Sequence, residues 1–195
     1  HVHLVRTVVQ LCDVSLYGEG AYVADGGTLV LDDSTFQSNT AAKFGGGIFA
    51  GTGSSVIVVS GHQQSSSALL NNVAHDSGGG VYLSGQGTRL GVHGNGTQLL
   101  IQSNTAKNRG GGLFAQSASA VVLSSGGRIN VINNVATTGY GGGVYLDGLN
   151  TRLNVSGTGT QLVVQGNMAE QHGGGVFVLS ASAVTLSLGA HLDVI

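Results

Sequence analysis

Hydrophobic and polar positions along the chain form a regular succession of short runs. Apolar runs of four to six residues, rich in Val, Leu, Ile and Thr, are separated by Gly, Ser, Asn or Thr. In the segment that begins at Gly78, these runs are GVYL, TRLGV and TQLLIQ. Their length and boundaries predict β-strands, because no apolar stripe with helical spacing persists for two turns.

The runs recur with a nearly fixed period. Five glycine triplets end at positions that are 33, 32, 31 and 32 residues apart, and each triplet follows an Asn-x-Ala motif. Three strands per repeat predict an all-β fold, a right-handed parallel β-helix (β-solenoid) of about six coils with one repeat of ~32 residues per coil. The repeated asparagines are Asn39, Asn72, Asn104, Asn134 and Asn167, and the last glycines of the triplets are Gly47, Gly80, Gly112, Gly143 and Gly175.

Stacking of the coils assigns a role to each repeated residue. Coils about 4.8 Å apart place equivalent side chains directly above one another. A buried asparagine can then bond both the backbone and the asparagine of the next coil, so we expect a structural ladder. The glycines, which we expect at turns, suit either a positive φ or a close approach of two backbones.

An aromatic residue follows every triplet, one position after an aliphatic residue, and the degenerate copy YGEGAYV at 17–23 adds a sixth ring. Alternation along a strand places the aliphatic and aromatic side chains on opposite faces. The aromatic column admits two interpretations: a buried or half-buried stack of rings, or an exposed stripe that contacts carbohydrate. Its members are Tyr22, Phe49, Tyr82, Phe114, Tyr145 and Phe177.

The repeats also predict the domain organisation. We expect residues 1–195 to form a single β-helix fragment of a longer protein, because the sequence AHLDVI at its end stops in the middle of the pattern. Residues 1–35 fit degenerate or shorter coils, and residues 36–195 contain the regular repeats. Proline is absent, which indicates that nearly every backbone N–H is needed as a donor.

The stretch FQSNTA at 36–41, with GGGIF at 45–49, resembles the paired FxxN and GGA-aliphatic repeats of the chlamydial polymorphic outer membrane proteins. The third small residue is Gly in every full copy here, and only Phe36 keeps the aromatic residue before the asparagine. Similar repeats occur in large secreted β-helix proteins of other organisms. The family consists of autotransporter-like surface adhesins, so the resemblance implies a location that is extracellular or at the cell surface.

Charge and composition argue against two classes of partner, nucleic acids and membranes. The net charge is −2 with no basic block, so nucleic-acid binding is not expected. No apolar run approaches the ~20 residues that cross a bilayer, so we expect no membrane contact from this fragment.

The β-helix fold also occurs in polysaccharide lyases, which need clustered carboxylates for Ca²⁺ binding or acid–base chemistry. Only Asp32 and Asp33 are adjacent here, and neighbours in a strand point to opposite faces. His75 and His172 lie three coils apart, too far for one zinc ion. We therefore predict no enzyme activity, no catalytic or metal-binding residue and no cofactor, and a lyase-like enzyme remains the weakest alternative.

The turn between the alanine and the glycine triplet varies in every coil: AKF, HDS, KNR, TTGY and EQH. Repeat proteins present binding edges on such variable turns, although solvated turns without a partner are the simpler alternative. We expect the candidate recognition edge to be one stacked column of Lys43, Asp76, Arg109, Tyr140 and Glu170.

These patterns together predict a structural or adhesive stalk whose partners are other copies of itself, a host or matrix protein, or a glycan. A structural subunit of an extracellular filament is the main alternative. Asn95 and Asn154 begin N-glycosylation sequons, which are used only in a secreted eukaryotic chain.

Overall fold

The computed structural model describes residues 1–14, 16–61 and 66–195, and their regular structure consists entirely of parallel β-strands. Each of the first six coils contributes one strand to each of four sheets, and the last strands, β25 and β26, extend two of these sheets. Sheet 1 contains β1 (Val2–Val5), β5 (Thr28–Asp32), β9 (Ser55–Val59), β13 (Arg89–His93), β17 (Ala120–Ser124), β21 (Arg152–Ser156) and β25 (Ala183–Ser187). Sheet 2 contains β2 (Val8–Gln10), β6 (Thr35–Gln37), β10 (Ser66–Leu70), β14 (Gln98–Gln102), β18 (Arg128–Ile132), β22 (Gln161–Gln165) and β26 (His191–Val194).

The other two sheets follow at the next corners of each coil. Sheet 3 contains β3 (Asp13–Val14), β7 (Thr40–Ala41), β11 (Val73–Ala74), β15 (Thr105–Ala106), β19 (Val135–Ala136) and β23 (Met168–Ala169). Sheet 4 contains β4 (Ala21–Val23), β8 (Ile48–Ala50), β12 (Val81–Ser84), β16 (Leu113–Gln116), β20 (Val144–Asp147) and β24 (Val176–Val178).

The all-β solenoid of about six coils that the repeats predict is confirmed. Sheet 3 adds a fourth strand to the three that we expected per coil. Each of its strands has only two residues. These two residues directly follow the repeated asparagine and pair with the next coil before the chain turns again. The right-handed winding stays a prediction.

The register between coils keeps equivalent residues in line. Val81 pairs with Leu113, and Leu113 pairs with Val144, so each aliphatic residue after a triplet lies beside its counterpart. Along the asparagine column, paired positions are 27 residues apart in the first step and 30 to 33 residues apart in the steps that follow. The repeats therefore act as stacked layers, each of which contacts its two neighbours.

The interior is filled by aliphatic side chains that point inward from sheets 1, 2 and 4. Within one coil, Leu83, Leu90, Leu99 and Ile101 are all completely buried. Burial of one such side chain contributes about 1.5–3 kcal/mol of stability. No helix in the described part of the chain is long and apolar enough to cross a membrane.

Candidate functional site: a buried ladder and a variable edge

The repeated asparagines lie at the corner between sheets 2 and 3 and bond to one another along the solenoid. The Nδ2 group of Asn72 donates to Oδ1 of Asn104 at 2.9 Å, and Nδ2 of Asn104 donates to Oδ1 of Asn134 at 3.0 Å. The backbone N–H of each asparagine donates to the same oxygen, at 2.9 Å in both steps. Equivalent bonds join all five: Asn39, Asn72, Asn104, Asn134 and Asn167.

Each side-chain amide also donates a second hydrogen bond toward the preceding coil. Nδ2 of Asn104 contacts the carbonyl oxygen of Leu69 at 2.9 Å, and Nδ2 of Asn134 contacts that of Ile101 at 2.9 Å. Both asparagines are fully buried. In Asn72, Asn104 and Asn134, both amide hydrogens have acceptors and Oδ1 accepts twice. The middle of the corner therefore avoids the cost of unsatisfied buried polar groups.

The first coil has Cys12 where later coils have asparagine. Its backbone N–H donates to Oδ1 of Asn39 at 3.2 Å, so the ladder begins with a main-chain donor. The cysteine is a free thiol. A single backbone contact therefore replaces the paired contact that an asparagine would supply.

The glycine triplet meets two different steric demands. The first glycine has a left-handed backbone, with φ of +69° at both Gly45 and Gly78. At the third glycine, a Cβ atom on Gly80 would lie 2.7 Å from the Gly112 carbonyl oxygen and 3.0 Å from Ile101 Cγ2. We expected the third glycines at turns. None of them has a positive φ, because the turn belongs to the first glycine and the third allows close approach of the coils: Gly47, Gly80, Gly112, Gly143 and Gly175.

The six aromatic residues form one continuous stack on the outer face of sheet 4. Tyr82 and Phe114 lie 4.8 Å apart between ring centroids, and Phe114 and Tyr145 lie 5.1 Å apart, with interplanar angles of 11° and 12°. The other neighbouring pairs, which are Tyr22–Phe49, Phe49–Tyr82 and Tyr145–Phe177, have centroid distances of 5.0–5.3 Å.

Side chains of the preceding turn cover this stack. Phe44 packs against Tyr82 at 4.6 Å, and the Arg109 guanidinium lies 5.7 Å from the centre of the Tyr145 ring. Tyr82, Phe114 and Tyr145 are consequently only 5%, 2% and 2% exposed. These three rings form a second small core and offer no open stripe to a carbohydrate.

Burial changes the acidity of two hydroxyls in the stack. Desolvation raises the pKa of Tyr82 to about 12, while contacts with Ser84 and Gln116 oppose the rise and the charge of Asp76 adds to it. Burial likewise raises the pKa of Tyr145, against the attraction of the Arg109 cation. Both hydroxyls are therefore neutral at physiological pH, and Tyr82 accepts a hydrogen bond from Gln116 Nε2 at 2.7 Å.

The variable edge does not form the single column that we expected. Arg109 and Tyr140 do pair, in a line of isolated bridges directly before the triplets that also contains Ser77 and His172. Lys43 and Asp76 precede this line by one residue, and Glu170 precedes it by two. The five residues thus occupy three adjacent columns, because register in the turn is set from the glycine side of the loop.

A polar groove lies within this edge, where the turn TTGY is one residue longer than its neighbours. Its volume is about 300 Å³. The predicted edge residues Asp76, Arg109 and Tyr140 line it, and Lys43 and Glu170 do not. Sequence reasoning missed the remaining lining residues, although the longer turn marked the place: Asn108, Thr138, Gly139 and Gln171.

Asp32 and Asp33 have separate environments. Asp32 is 5% exposed and accepts a hydrogen bond from the Gly61 N–H at 3.1 Å, whereas Asp33 is exposed in a bend with φ of +50°. In the described part of the chain, no three His, Cys, Asp or Glu side chains are grouped closely enough to hold a metal ion. Asp32 therefore has a structural contact at a corner of the solenoid.

The two sequon asparagines differ in accessibility. Asn95 is exposed at the tip of the turn between β13 and β14, and Asn154 is partly buried in the middle of β21. A glycosyltransferase needs an accessible loop, so only the Asn95 position fits such a modification.

These features define the class of protein, which is a parallel β-solenoid with a buried polar ladder, a covered aromatic stack and one variable edge. Comparison with known families then gives a specific result, since residues 33–51 match the repeat described as Chlamydia polymorphic membrane protein (Chlamydia_PMP) repeat. This match confirms the resemblance that the FQSNTA and GGGIF motifs indicate. No curated protein and no solved structure matches the chain.

Proposed function

We propose that the chain is a non-catalytic stalk of a cell-surface or secreted protein, and that its variable edge attaches to other molecules. The observation that carries this proposal is the contrast between columns. The buried corner repeats asparagine in five successive coils, whereas the turn before the triplet changes its side chains in every coil. Repeat scaffolds that bind partners commonly keep their packing residues constant and vary one edge.

The matched repeat supports the location and the absence of catalysis. The segment at 33–51 resembles a repeat described for polymorphic membrane proteins, which favours a surface-associated structural role. The acidic pair Asp32 and Asp33 gives no support to the lyase alternative, because one carboxylate is buried against Gly61 and the other is solvent-exposed.

Attachment of protein-coated beads to a panel of cultured cells tests the proposal. A triple variant of the edge, Lys43→Ala with Lys107→Ala and Arg109→Ala, should reduce attachment severalfold because it removes three exposed cations. Gln98→Ala, on the outer face of sheet 2, is the matched control and should attach like the parent chain. Equal attachment by both variants, or none by the parent, would contradict the proposal.

The filament alternative predicts a different physical behaviour. Sedimentation velocity over a hundredfold concentration range separates the two, because a stalk that acts alone stays monodisperse. Growth of the sedimentation coefficient with concentration, together with loss of cell attachment, would favour the filament.

A further inference from the structure

We propose that the groove lined by Asp76, Asn108, Arg109, Thr138 and Tyr140 binds a neutral monosaccharide unit of a glycan. This inference rests on the proposed function and gives the edge a ligand class. The groove lies beside the one longer turn and is lined by residues of four successive turns, so it supplies a specific site on an otherwise repetitive scaffold.

The shape of the groove comes from the longer turn. The extra residue brings the backbone of Gly139 against the neighbouring coil, where a Cβ atom would lie only 2.0 Å from the Asn108 carbonyl oxygen. Only glycine fits at that contact, and the turn opens beside it into a groove of about 300 Å³. This volume lies at the lower end of the range for small-molecule sites, which suits one sugar ring.

The polar side chains of the groove hold one another in place. Oδ1 of Asp76 accepts hydrogen bonds from Ser77 Oγ at 2.9 Å and from Asn108 Nδ2 at 3.1 Å. The Thr138 hydroxyl lies 3.1 Å from Asn108 Oδ1, and Gln171 Nε2 donates to the Thr138 carbonyl oxygen at 2.9 Å. A site that is ordered before binding loses less side-chain entropy when a ligand enters.

The same network leaves polar atoms of the lining residues that a ligand can use. Both described bonds to Asp76 use Oδ1, so Oδ2 can accept from a sugar hydroxyl. The Gln171 bond uses Nε2, which leaves the side-chain oxygen Oε1 of Gln171 as a second acceptor. Arg109 contributes N–H donors, and a sugar hydroxyl both donates and accepts, so this mixed set matches a pair of neighbouring hydroxyls.

Tyr140 adds an apolar surface to the groove. Its ring is half-buried and packs against two rings of the next coil. The centroid distances are 5.2 Å to Phe177 and 5.7 Å to His172, with interplanar angles of 35° and 31°. An aromatic face held in this way can pack on the C–H face of a sugar ring, while polar groups nearby bind its hydroxyls.

The charge of the lining favours a neutral ligand. It contains one carboxylate, on Asp76, and one guanidinium, on Arg109. The guanidinium already lies over the Tyr145 ring at 5.7 Å, which holds it at the groove wall. A uronate or sialate carboxylate would gain the attraction of Arg109 only at the cost of repulsion from Asp76.

Saturation-transfer NMR with the methyl glycosides of glucose, galactose, mannose and N-acetylglucosamine tests the proposal on the full chain. At least one of these should bind with a Kd of about 1 mM, a value suited to a single sugar in a shallow site. Asp76→Asn should weaken binding about tenfold, because it removes a charged acceptor but keeps its size. Tyr140→Leu should weaken binding severalfold through loss of the ring.

Thr137→Ala is the matched control, since Thr137 is exposed in the same turn and does not line the groove. It should bind like the parent, and circular dichroism of every variant separates lost binding from lost folding. The absence of binding by all four glycosides, or equal binding by Asp76→Asn and the parent, would overturn the proposal. So would tighter binding of methyl sialoside or methyl glucuronide than of any neutral probe. If cells still attach but no glycoside binds, the sugar-binding inference is overturned and the proposed attachment function is kept.

Discussion

The asparagine corner and the variable turn lie only a few residues apart in every coil, yet they follow opposite rules. At the corner, each asparagine is both donor and acceptor for its neighbours, so Asn72, Asn104 and Asn134 have the same partners at 2.9–3.0 Å. In the turn, Ser77, Arg109 and Tyr140 pair through the backbone and carry unrelated side chains. A column must repeat its residue where neighbouring coils supply each other's side-chain partners, and it can vary where only the backbone is shared.

The largest effect that we predict comes from a break in the ladder at Asn104. Asn104→Ala removes the acceptor for two donors of Asn72 and the donor to Leu69 and Asn134, all in a buried corner. The free energy of unfolding should fall by about 4 kcal/mol or more, because several buried polar groups lose their partners at once. Urea unfolding followed by circular dichroism measures the change.

A matched substitution in the turn sharpens the same comparison. Lys107 lies three residues after Asn104 in the chain, and Lys107→Ala removes an exposed side chain. Its effect should stay within about 0.5 kcal/mol. Similar losses for Lys107→Ala and Asn104→Ala would show that the ladder is no more important to stability than the turn.

The aromatic stack is covered by side chains of the variable turn and should respond as part of the core. Phe114→Ala removes a ring that is 2% exposed and stacked between Tyr82 and Tyr145. The expected loss is about 3–4 kcal/mol by urea unfolding, from the cavity and the lost stacking. Tyr22→Ala, at the end of the stack with 58% exposure, should lose about 1 kcal/mol or less; equal losses would contradict a core role.

The sequence predicts the ladder and the stack well because each depends on one residue type at one spacing. Asparagine recurs where it can bond its own copy, and an aromatic ring recurs where it can stack on one, so periodicity alone places Asn104 and Phe114 in columns. The register of sheet 4 then follows from the fixed distance to the triplet.

The groove could not be predicted in the same way. It depends on how a one-residue insertion at Gly139 lies against Asn108, and no other repeat offers a copy of this contact. The sequence also placed Lys43, Asp76 and Glu170 in one column with Arg109 and Tyr140, whereas the backbone bridges align the turns from the triplet. Local loop geometry has no periodicity, and periodicity is the signal that the sequence supplies.

Close approach at the third glycine predicts a smaller loss. Gly112→Ala would place a Cβ atom 2.8 Å from the Gly143 carbonyl oxygen and 3.0 Å from Asn134 Cγ, so the coil or the ladder must shift. The expected cost is about 1–3 kcal/mol in urea unfolding. Gly51→Ala is the control, since its nearest neighbour would be a ring atom of Phe49 at 3.4 Å, and its change should be under about 1 kcal/mol in either direction. A cost as small for Gly112→Ala would exclude steric contact as the reason for the triplet.

The smallest predicted effect is a pH dependence that links the stack to the edge. Burial raises the pKa of Tyr82 to about 12, and the nearby charge of Asp76 adds to the rise. Between pH 10 and 12 the unfolded chain therefore loses this proton before the folded chain does, so the folded state binds more protons and stability must fall as pH rises. The free energy of unfolding should drop by about 1–2 kcal/mol across this interval.

Tyr82→Phe removes the titrating hydroxyl and should flatten this part of the pH profile, while Tyr22→Phe, at an exposed ring, should leave it intact. Asp76→Asn should reduce the slope only slightly, because desolvation is the larger cause of the raised pKa. A profile that Tyr82→Phe leaves unchanged would mean that the ring is hydrated, and the stack would then belong with the solvent-exposed edge instead of the core. If Asp76→Asn removed most of the slope, charge at the edge would dominate over burial, and the two regions would be coupled more strongly than their separate packing indicates.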